Sequence, residues 1–135
     1  MGYTHYWTKK ANTAITEERW GSFIEAAEKV LDNCADCVEV DECSLEGISF
    51  NGIEEAAYET FYLPRPTPPA EDFSFCKTAE KPYDTPVVAI LLLLQHYCGD
   101  AYSISSDGDL ADWQAGSDLC SALNLTHKTP PGLRA

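Results

Sequence analysis

A group of polar side chains lies close together near the middle of the chain. Its members are Lys77, Thr78, Lys81, Tyr83 and Asp84. They fall between a predicted strand and a predicted apolar helix, where a loop can present backbone N–H groups to an anion. Two lysine ammonium groups in the same loop add the positive charge that favours a phosphate. The spacing therefore predicts an anion-binding loop, and the alternative is that both lysines form surface ion pairs with Glu80 and Asp84.

Aromatic residues are concentrated near the start of the chain. In a strand, alternation places His5 and Trp7 on one face, and Thr4 and Tyr6 on the other. One pair can then pack into the core while the other faces a ligand, because aromatic rings stack on bases and other planar groups. We expect His5, Tyr6 and Trp7 to contribute to a ligand site, and the alternative is an ordinary amphipathic strand.

Further polar residues are candidates for directional hydrogen bonds to the same ligand, and these are Asn51, Ser106 and Asp107. Ser106 and Asp107 belong to the run of hydroxyls and acids over 105–109, which is partly similar to a calcium-binding loop. Asp112 stands where such a loop needs its sharp-turn glycine. The run therefore predicts a turn that is held by local hydrogen bonds between side chains and backbone.

Motifs for catalysis are weak in this sequence. It contains no GxSxG nucleophile elbow, no phosphate-binding P-loop and no dinucleotide glycine fingerprint, so we expect no cofactor. Cys76 beside Lys77 is a candidate thiolate with His5 or His96 as its base, although a small buried residue is the favoured interpretation of Cys76. A metal-dependent nucleotide hydrolase is an alternative, and its metal would be held by Asp107, Asp109 or Glu59.

The chain contains six cysteines, which the absence of a secretion signal predicts to be free thiols. Cys34 and Cys37, with Cys43 nearby, are partly similar to a zinc site. A structural zinc site usually has a second ligand pair, and no histidine lies near these cysteines. We therefore expect no metal.

The balance of charge excludes two classes of partner. Asp and Glu number 22 and Lys and Arg number 9, which gives a net charge of -13. Binding to a nucleic-acid backbone requires basic patches that release counterions, and acidic membranes attract basic segments. The apolar run over 86–94 is far shorter than the roughly 20 residues of a membrane-spanning helix, and no signal-peptide pattern is present. We expect a cytoplasmic protein that binds neither nucleic acid nor membrane.

Hydrophobic periodicity and turn residues predict five strands and three helices. In chain order these are strand 2–8, helix 17–33, strands near 46–51 and 56–63, strand 73–76, helix 85–98, strand 101–105 and helix 109–123. Asn51-Gly52 predicts the turn of a hairpin between the second and third strands. Prolines predict an extended connection after the third strand, at Pro64, Pro66, Pro68 and Pro69.

This order of elements is typical of an α+β fold. We expect a single domain over 1–125, in which a mainly antiparallel sheet packs against two or three helices. The proline-rich residues 126–135 are expected to form a C-terminal tail.

Several motifs together resemble a known group of proteins. They are Gly2-Tyr3-Thr4-His5-Tyr6-Trp7, Ile48-Ser49-Phe50-Asn51-Gly52, Glu59-Thr60-Phe61, the segment 73–84, the segment 105–109 and Asp112-Trp113. This combination spans residues 2 to 113 and resembles a family of small uncharacterised proteins of bacteria and their phages. The resemblance implies a phage or prophage setting and transfers no activity.

The setting narrows the functional hypotheses. Small acidic phage proteins often inhibit host defence, either by docking on a host protein or by sequestering a nucleotide second messenger. The motif residues are aromatic, hydroxyl, amide and lysine groups, which suit a ligand with a planar ring and phosphates. We therefore expect non-enzymatic sequestration of a nucleotide-like signalling molecule, with a second subunit as a means of closing the pocket. The alternatives are an acidic, DNA-mimic-like inhibitor of a host defence protein, a small nucleotide hydrolase, and an accessory protein whose charge only keeps it in solution.

Overall fold

The computed structural model describes residues 3–66 and 71–134, and over these residues it contains six strands and three α-helices. The strands are β1 (Thr4–Lys9), β2 (Val38–Ser44), β3 (Gly47–Gly52), β4 (Phe61–Pro64), β5 (Asp72–Lys77) and β6 (Tyr102–Ser106). The helices are α1 (Glu17–Asn33), α2 (Asp84–Cys98) and α3 (Gln114–Ala122). Four residues that the sequence analysis assigns to the first strand, the proline connection and the tail lie outside the described residues: Gly2, Pro68, Pro69 and Ala135.

The first sheet has β1 at its centre, with antiparallel β5 and β6 on either side. Side chains alternate along β1 as the sequence predicts. His5, Trp7 and Lys9 face inward and are almost completely buried, whereas Tyr6 and Thr8 face outward. We call these two sides the inner face and the outer face of the first sheet.

Helix α2 forms the centre of the molecule. Its sequence is apolar nearly all round, and every residue from Pro86 to Leu94 is buried. The helix packs against α1, α3 and β6. Gly116 lets α3 approach closely, because a Cβ atom at that position would lie 2.4 Å from Cγ1 of Val88. The sequence prediction of this helix is confirmed to within one residue.

Helix α1 also begins and ends where its sequence predicts. The Thr16 side chain accepts a hydrogen bond from the Arg19 N–H at 3.1 Å and so caps the first turn. Its apolar stripe, which includes Trp20 and Phe23, is buried. No helix in the described ranges is long and apolar enough to cross a membrane.

The second sheet is formed by β2, β3 and β4 in that order, all antiparallel. The predicted hairpin turn at Asn51-Gly52 is wrong, because both residues belong to β3. The hairpin instead turns at Leu45 and Glu46, between β3 and the unpredicted strand β2. Gly52 is needed for close contact rather than for a turn, since a Cβ there would lie 2.3 Å from the Ala56 carbonyl oxygen.

Two other boundaries differ from the sequence prediction. The third strand, predicted over 56–63, is limited to β4, because a turn of 3-10 helix occupies Glu54–Ala56. Helix α3 begins at Gln114 rather than at 109, because Asp109 and Asp112 each accept the other's backbone N–H at 3.0 Å and close a separate turn.

The architecture is a single-domain α+β fold, as the sequence predicts, although its strands form two sheets rather than one. Trp7 and Phe61 connect the two sheets, with ring centroids 5.0 Å apart. Residues 126–134 lie against the domain. The Lys128 N–H donates to the Leu92 carbonyl at 3.2 Å, and Arg134 donates to the Asp107 carbonyl at 2.7 Å.

Candidate functional site

A hydrogen-bonded relay connects three of the predicted site residues at one end of the first sheet. Nε2 of His5 lies 2.6 Å from Oδ1 of Asp84, and Nδ1 of His5 lies 2.8 Å from Oγ of Ser106. The Thr78 hydroxyl donates to the same Asp84 oxygen at 2.6 Å. His5 and Thr78 are completely buried. The structure therefore brings together Thr78, Asp84, His5 and Ser106, which are far apart in sequence.

The surroundings of Ser106 determine where the protons of the relay lie. Its oxygen accepts hydrogen bonds from the Gly108 N–H at 2.9 Å and from the Trp113 indole N–H at 3.2 Å. With two donors on that oxygen, the Ser106 hydroxyl donates its own proton to Nδ1 of His5. His5 then carries its proton on Nε2 and donates it to Asp84.

An aspartate–histidine–serine relay is the arrangement that activates a serine nucleophile. Here the lone pairs of the Ser106 oxygen already accept two N–H groups, which lowers its nucleophilicity. The relay connects β1, the start of α2 and the end of β6. Its arrangement therefore suits holding these elements together rather than catalysis. Burial and the Asp84 carboxylate also raise the pKa of neighbouring Tyr3, whose hydroxyl stays protonated.

Tyr6 and Asp107 lie together on the outer face. The Tyr6 hydroxyl donates to Oδ1 of Asp107 at 3.1 Å, and this bond raises the pKa of Tyr6. The other oxygen of Asp107 accepts the Thr4 N–H at 3.0 Å. Tyr6 also stacks on Phe73, with ring centroids 6.3 Å apart. These two predicted residues are therefore accessible but do not lie beside His5, which faces inward.

The two lysines of the predicted anion loop point to different surroundings. Nζ of Lys77 lies 5.6 Å from the centre of the Tyr58 ring, a cation–π contact. Lys81 lies in the turn before α2, where its N–H donates to the Thr78 carbonyl at 3.0 Å. Neither ammonium group forms an ion pair with a described carboxylate, so the alternative of pairs with Glu80 and Asp84 is wrong.

Three predicted ligand residues contribute to the fold, and for Trp7 this agrees with the alternative of an amphipathic strand. Trp7 packs in the core, with only 1% of its surface exposed. Tyr83 is completely buried and donates its hydroxyl proton to the Glu59 carbonyl at 2.6 Å. The Asn51 amide fixes the following loop, because it donates to the Tyr58 carbonyl at 3.0 Å and accepts the Tyr58 N–H at 3.0 Å.

A cavity of about 280 Å³ opens between the inner face of the first sheet and the end of β4. Trp7, Lys9, Asp72 and Tyr102 line it from the sheet, and the segment 63–66 lines the opposite side. Trp7 and Tyr102 are almost completely buried, and no buried side-chain nitrogen or oxygen atom of the described residues lacks a hydrogen-bond partner. Burial raises the pKa of Tyr102, so that its hydroxyl remains a donor.

Two cationic side chains border the same cavity. Lys9 is buried, and its ammonium donates to both oxygens of Thr13, at 2.6 and 3.0 Å, and to the Lys10 carbonyl at 3.0 Å. All of its donors are therefore used, and it supplies positive charge only. The Arg65 guanidinium lies 3.6 Å from the exposed carboxylate of Glu17, a loose contact that leaves it able to bind an anion.

Sequence reasoning missed Lys9, Arg65 and Tyr102 as candidate site residues. It also missed Phe73 and Phe75 on the outer face, which are 60% and 54% exposed. Two phenylalanines at alternate positions do indicate a shared face of a strand. An aromatic face of a strand is usually expected to be buried. In β5 the aromatic face is exposed instead, because Ser74 and Cys76 point to the inner face.

The cysteines are all free thiols in the structure. Burial raises the pKa of Cys76 to about 12, which excludes a reactive thiolate at neutral pH. Across the described ranges, no three His, Cys, Asp or Glu side chains are grouped so that they could hold a metal ion.

Comparisons with protein-family models, with curated proteins and with solved structures found no match to this chain. The resemblance to small proteins of bacteria and their phages therefore stays a prediction.

Proposed function

We propose that this protein captures a nucleotide-like small molecule, without catalysis, in the cavity beside Trp7. The proposal keeps the ligand class that the sequence motifs suggest and moves its site away from the 77–84 loop. The observation that carries it is a cavity of about 280 Å³ that is lined by two aromatic side chains, Trp7 and Tyr102, and by two cationic ones, Lys9 and Arg65. Aromatic walls that carry a small number of polar and charged groups are typical of a small-molecule site.

The walls of the cavity suit a planar ring with polar substituents. Trp7 and Tyr102 offer aromatic surface, and Leu63, Pro64 and Pro66 offer apolar contact. The indole N–H of Trp7 can donate to a ring nitrogen or carbonyl. The Asp72 carboxylate can accept from an amino group or a ribose hydroxyl, as acidic residues do in nucleotide sites.

Two cations and two acids line the cavity, namely Lys9, Arg65, Glu71 and Asp72, and the two cations suit a single phosphate. Arg65 presents a planar guanidinium that binds phosphate oxygens in pairs, and Lys9 adds positive charge from the sheet. Ligand cavities are roughly 300–1,000 Å³ for drug-sized molecules. A volume of about 280 Å³ therefore favours a mononucleotide over a larger cyclic oligonucleotide.

The first test is a thermal-shift screen against linear and cyclic mononucleotides, with and without magnesium. A ligand at one hundred times its Kd stabilises the folded state by about 2.7 kcal/mol, which raises Tm by several degrees. Mass spectrometry of the same samples should recover the nucleotide unchanged, since the proposal includes no turnover. A modified nucleotide would favour the hydrolase alternative instead.

Variants of the cavity then locate the site by calorimetry. Tyr102→Phe removes one hydroxyl and should weaken binding about tenfold, the value of one hydrogen bond of about 1.4 kcal/mol. Arg65→Gln should weaken only phosphate-bearing ligands. The matched control is Tyr62→Phe on the second sheet, where Tyr62 is 59% exposed and outside the cavity. Loss of binding in Lys81→Ala, with Tyr102→Phe unaffected, would return the site to the predicted anion loop.

A second candidate function is an acidic inhibitor that docks on a host defence protein. Strand β2 favours it, because this edge strand of the second sheet exposes Glu39, Asp41 and Glu42 to solvent. An acidic stripe can steer a basic partner, and it also protects an edge strand from pairing with other chains. If docking is the function, Glu39→Lys with Asp41→Lys should abolish a salt-sensitive host complex, whereas Tyr102→Phe should leave it intact.

A further inference from the structure

Two phenylalanines on the outer face of the first sheet are unusually exposed. Phe73 is 60% exposed and Phe75 is 54% exposed, and their ring centroids lie 6.1 Å apart. Tyr6 stacks against Phe73 and extends the aromatic surface onto β1. Contiguous exposed aromatic surface on a folded domain marks an interaction site more often than a scattered apolar residue does.

The outer face also differs from the rest of the molecule in charge. Within its strands, the outward positions carry aromatic, hydroxyl and lysine side chains and no acid: Thr4, Tyr6, Thr8, Phe73, Phe75, Lys77, Ser103 and Ser105. One acid, Asp107, follows directly after β6 and accepts the Tyr6 hydroxyl. The chain as a whole carries 22 acids. Since like charges repel, two copies of such an acidic chain can approach most closely through a face whose strands carry no acid.

The register of the first sheet makes this face complementary to itself. Thr8 pairs with Phe73 on β5 and with Ser103 on β6, and Tyr6 pairs with Phe75 and Ser105 in the same way. In each of these rows of paired residues, a large residue on β5 therefore lies on one side of β1 and a small residue on β6 lies on the other side. A two-fold axis along β1 places β5 of one copy over β6 of the other, so that each phenylalanine ring meets a serine.

The next row adds complementary charge. Thr4 pairs with Lys77 on β5, and on its other side Asp107 donates its backbone N–H to the Thr4 carbonyl at 2.9 Å. The Asp107 carboxylate lies on the outer side, because it accepts the Tyr6 hydroxyl. The same two-fold axis brings Lys77 of one copy to Asp107 of the other, twice in each dimer.

We propose that the outer face binds a second copy of this chain, in a two-fold dimer that pairs Phe73 and Phe75 with Ser103 and Ser105 and joins Lys77 to Asp107. The dimer leaves the cavity beside Trp7 on the opposite side of the sheet. Docking through the outer face is therefore independent of ligand capture.

Sedimentation equilibrium of the full chain over a wide range of concentrations tests the dimer. The wild type should show a monomer–dimer equilibrium, and Phe75→Asp should stay monomeric, because it places an acid at the centre of both facing sheets. Tyr62→Asp is the matched control, a similarly exposed aromatic on the second sheet that should leave dimerisation unchanged. Circular dichroism melting checks that Phe75→Asp is folded.

A charge swap tests the orientation. Lys77→Asp alone and Asp107→Lys alone should each weaken self-association at least tenfold, because each puts two like-charged pairs into the dimer. An equimolar mixture of the two variants should associate again, since both pairs are then of opposite charge. A wild type that is monomeric at every concentration would overturn the proposal, as would dimers of Phe75→Asp or a mixture that stays monomeric.

Discussion

At the scale of single residues, the Ser106 hydroxyl takes part in three hydrogen bonds. It accepts the Gly108 and Trp113 N–H groups, and its proton goes to His5. Each of these partners is wholly or partly buried, so the loss of the hydroxyl leaves several polar groups without partners.

Ser106→Ala should therefore lower the free energy of unfolding by about 2–4 kcal/mol, the penalty for more than one unsatisfied buried group. Ser105→Ala is the control, because Ser105 points outward and is exposed, and should change stability by less than about 0.5 kcal/mol. Urea denaturation of the three proteins measures both values. Equal stability of the two variants would mean that the relay does not hold the fold.

The sequence predicts part of the candidate site at this scale. It identifies His5, Ser106, Asp84 and Thr78 as important by residue type, and the structure places them in one network. Their role could not be predicted, because hydrogen bonds between residues about 100 positions apart depend on the pairing of β1 with β6. The same limit applies to Tyr102, whose position in the cavity depends on its pairing with Lys9.

At the scale of elements, the approach of α3 to α2 depends on the missing side chain at Gly116. Gly116→Ala puts a methyl group 2.4 Å from Val88 Cγ1 and should destabilise the protein by about 1–3 kcal/mol through overpacking. Gly21→Ala on α1 is the matched substitution, since its Cβ would meet only Leu45 Cδ2 at 4.0 Å. It should stabilise by about 0.5–1 kcal/mol through helix propensity. Thermal unfolding should show opposite shifts in Tm, and shifts of the same sign would contradict this packing.

The helices could be predicted from sequence better than the strands. The apolar periodicity of α1 and the continuous apolar run of α2 are local signals, and both match the structure closely. Strand β2 alternates only at Val38 and Val40, because a bulge between Val40 and Glu42 breaks the pattern and its acidic side chains are exposed at a sheet edge. Asn51-Gly52 has the composition of a turn. The Asn51 amide instead bonds to the Tyr58 backbone, and Gly52 lacks the Cβ atom that would collide with the Ala56 carbonyl.

At the scale of the whole molecule, the buried thiols make stability depend on alkaline pH. Burial raises the pKa of Cys76 and of Cys98 from an ordinary value of 9.0 to about 12. The unfolded chain therefore loses these protons at a lower pH than the folded chain. Their contribution to stability is complete below pH 9 and is lost as the pH rises toward 12.

Between pH 8 and pH 10, the free energy of unfolding should fall by about 1 kcal/mol for each such thiol. Denaturation at both pH values under reducing conditions measures this difference. Cys76→Ala should lower stability at pH 8 and show a smaller decrease on going to pH 10. An equal decrease in this variant would assign the alkaline transition to other groups.

The molecule as a whole separates two uses of its first sheet. The inner face borders the cavity that we assign to a small ligand, and the outer face, whose strands carry no outward acid, is the face that we assign to a second copy. The remaining surface carries most of the negative charge, which keeps copies apart elsewhere.

The three tryptophans provide the most direct measurement of ligand capture. The indole N–H of Trp20 donates to the Leu45 carbonyl and that of Trp113 donates to Ser106, whereas the Trp7 side chain lines the cavity. A nitrogen–proton correlation spectrum resolves all three indole signals, assigned by Trp→Phe variants. Titration with the mononucleotide that raises Tm most should shift the Trp7 signal and leave the other two in place. A stationary Trp7 signal at saturation, or a shift confined to Trp113, would contradict a ligand site in this cavity.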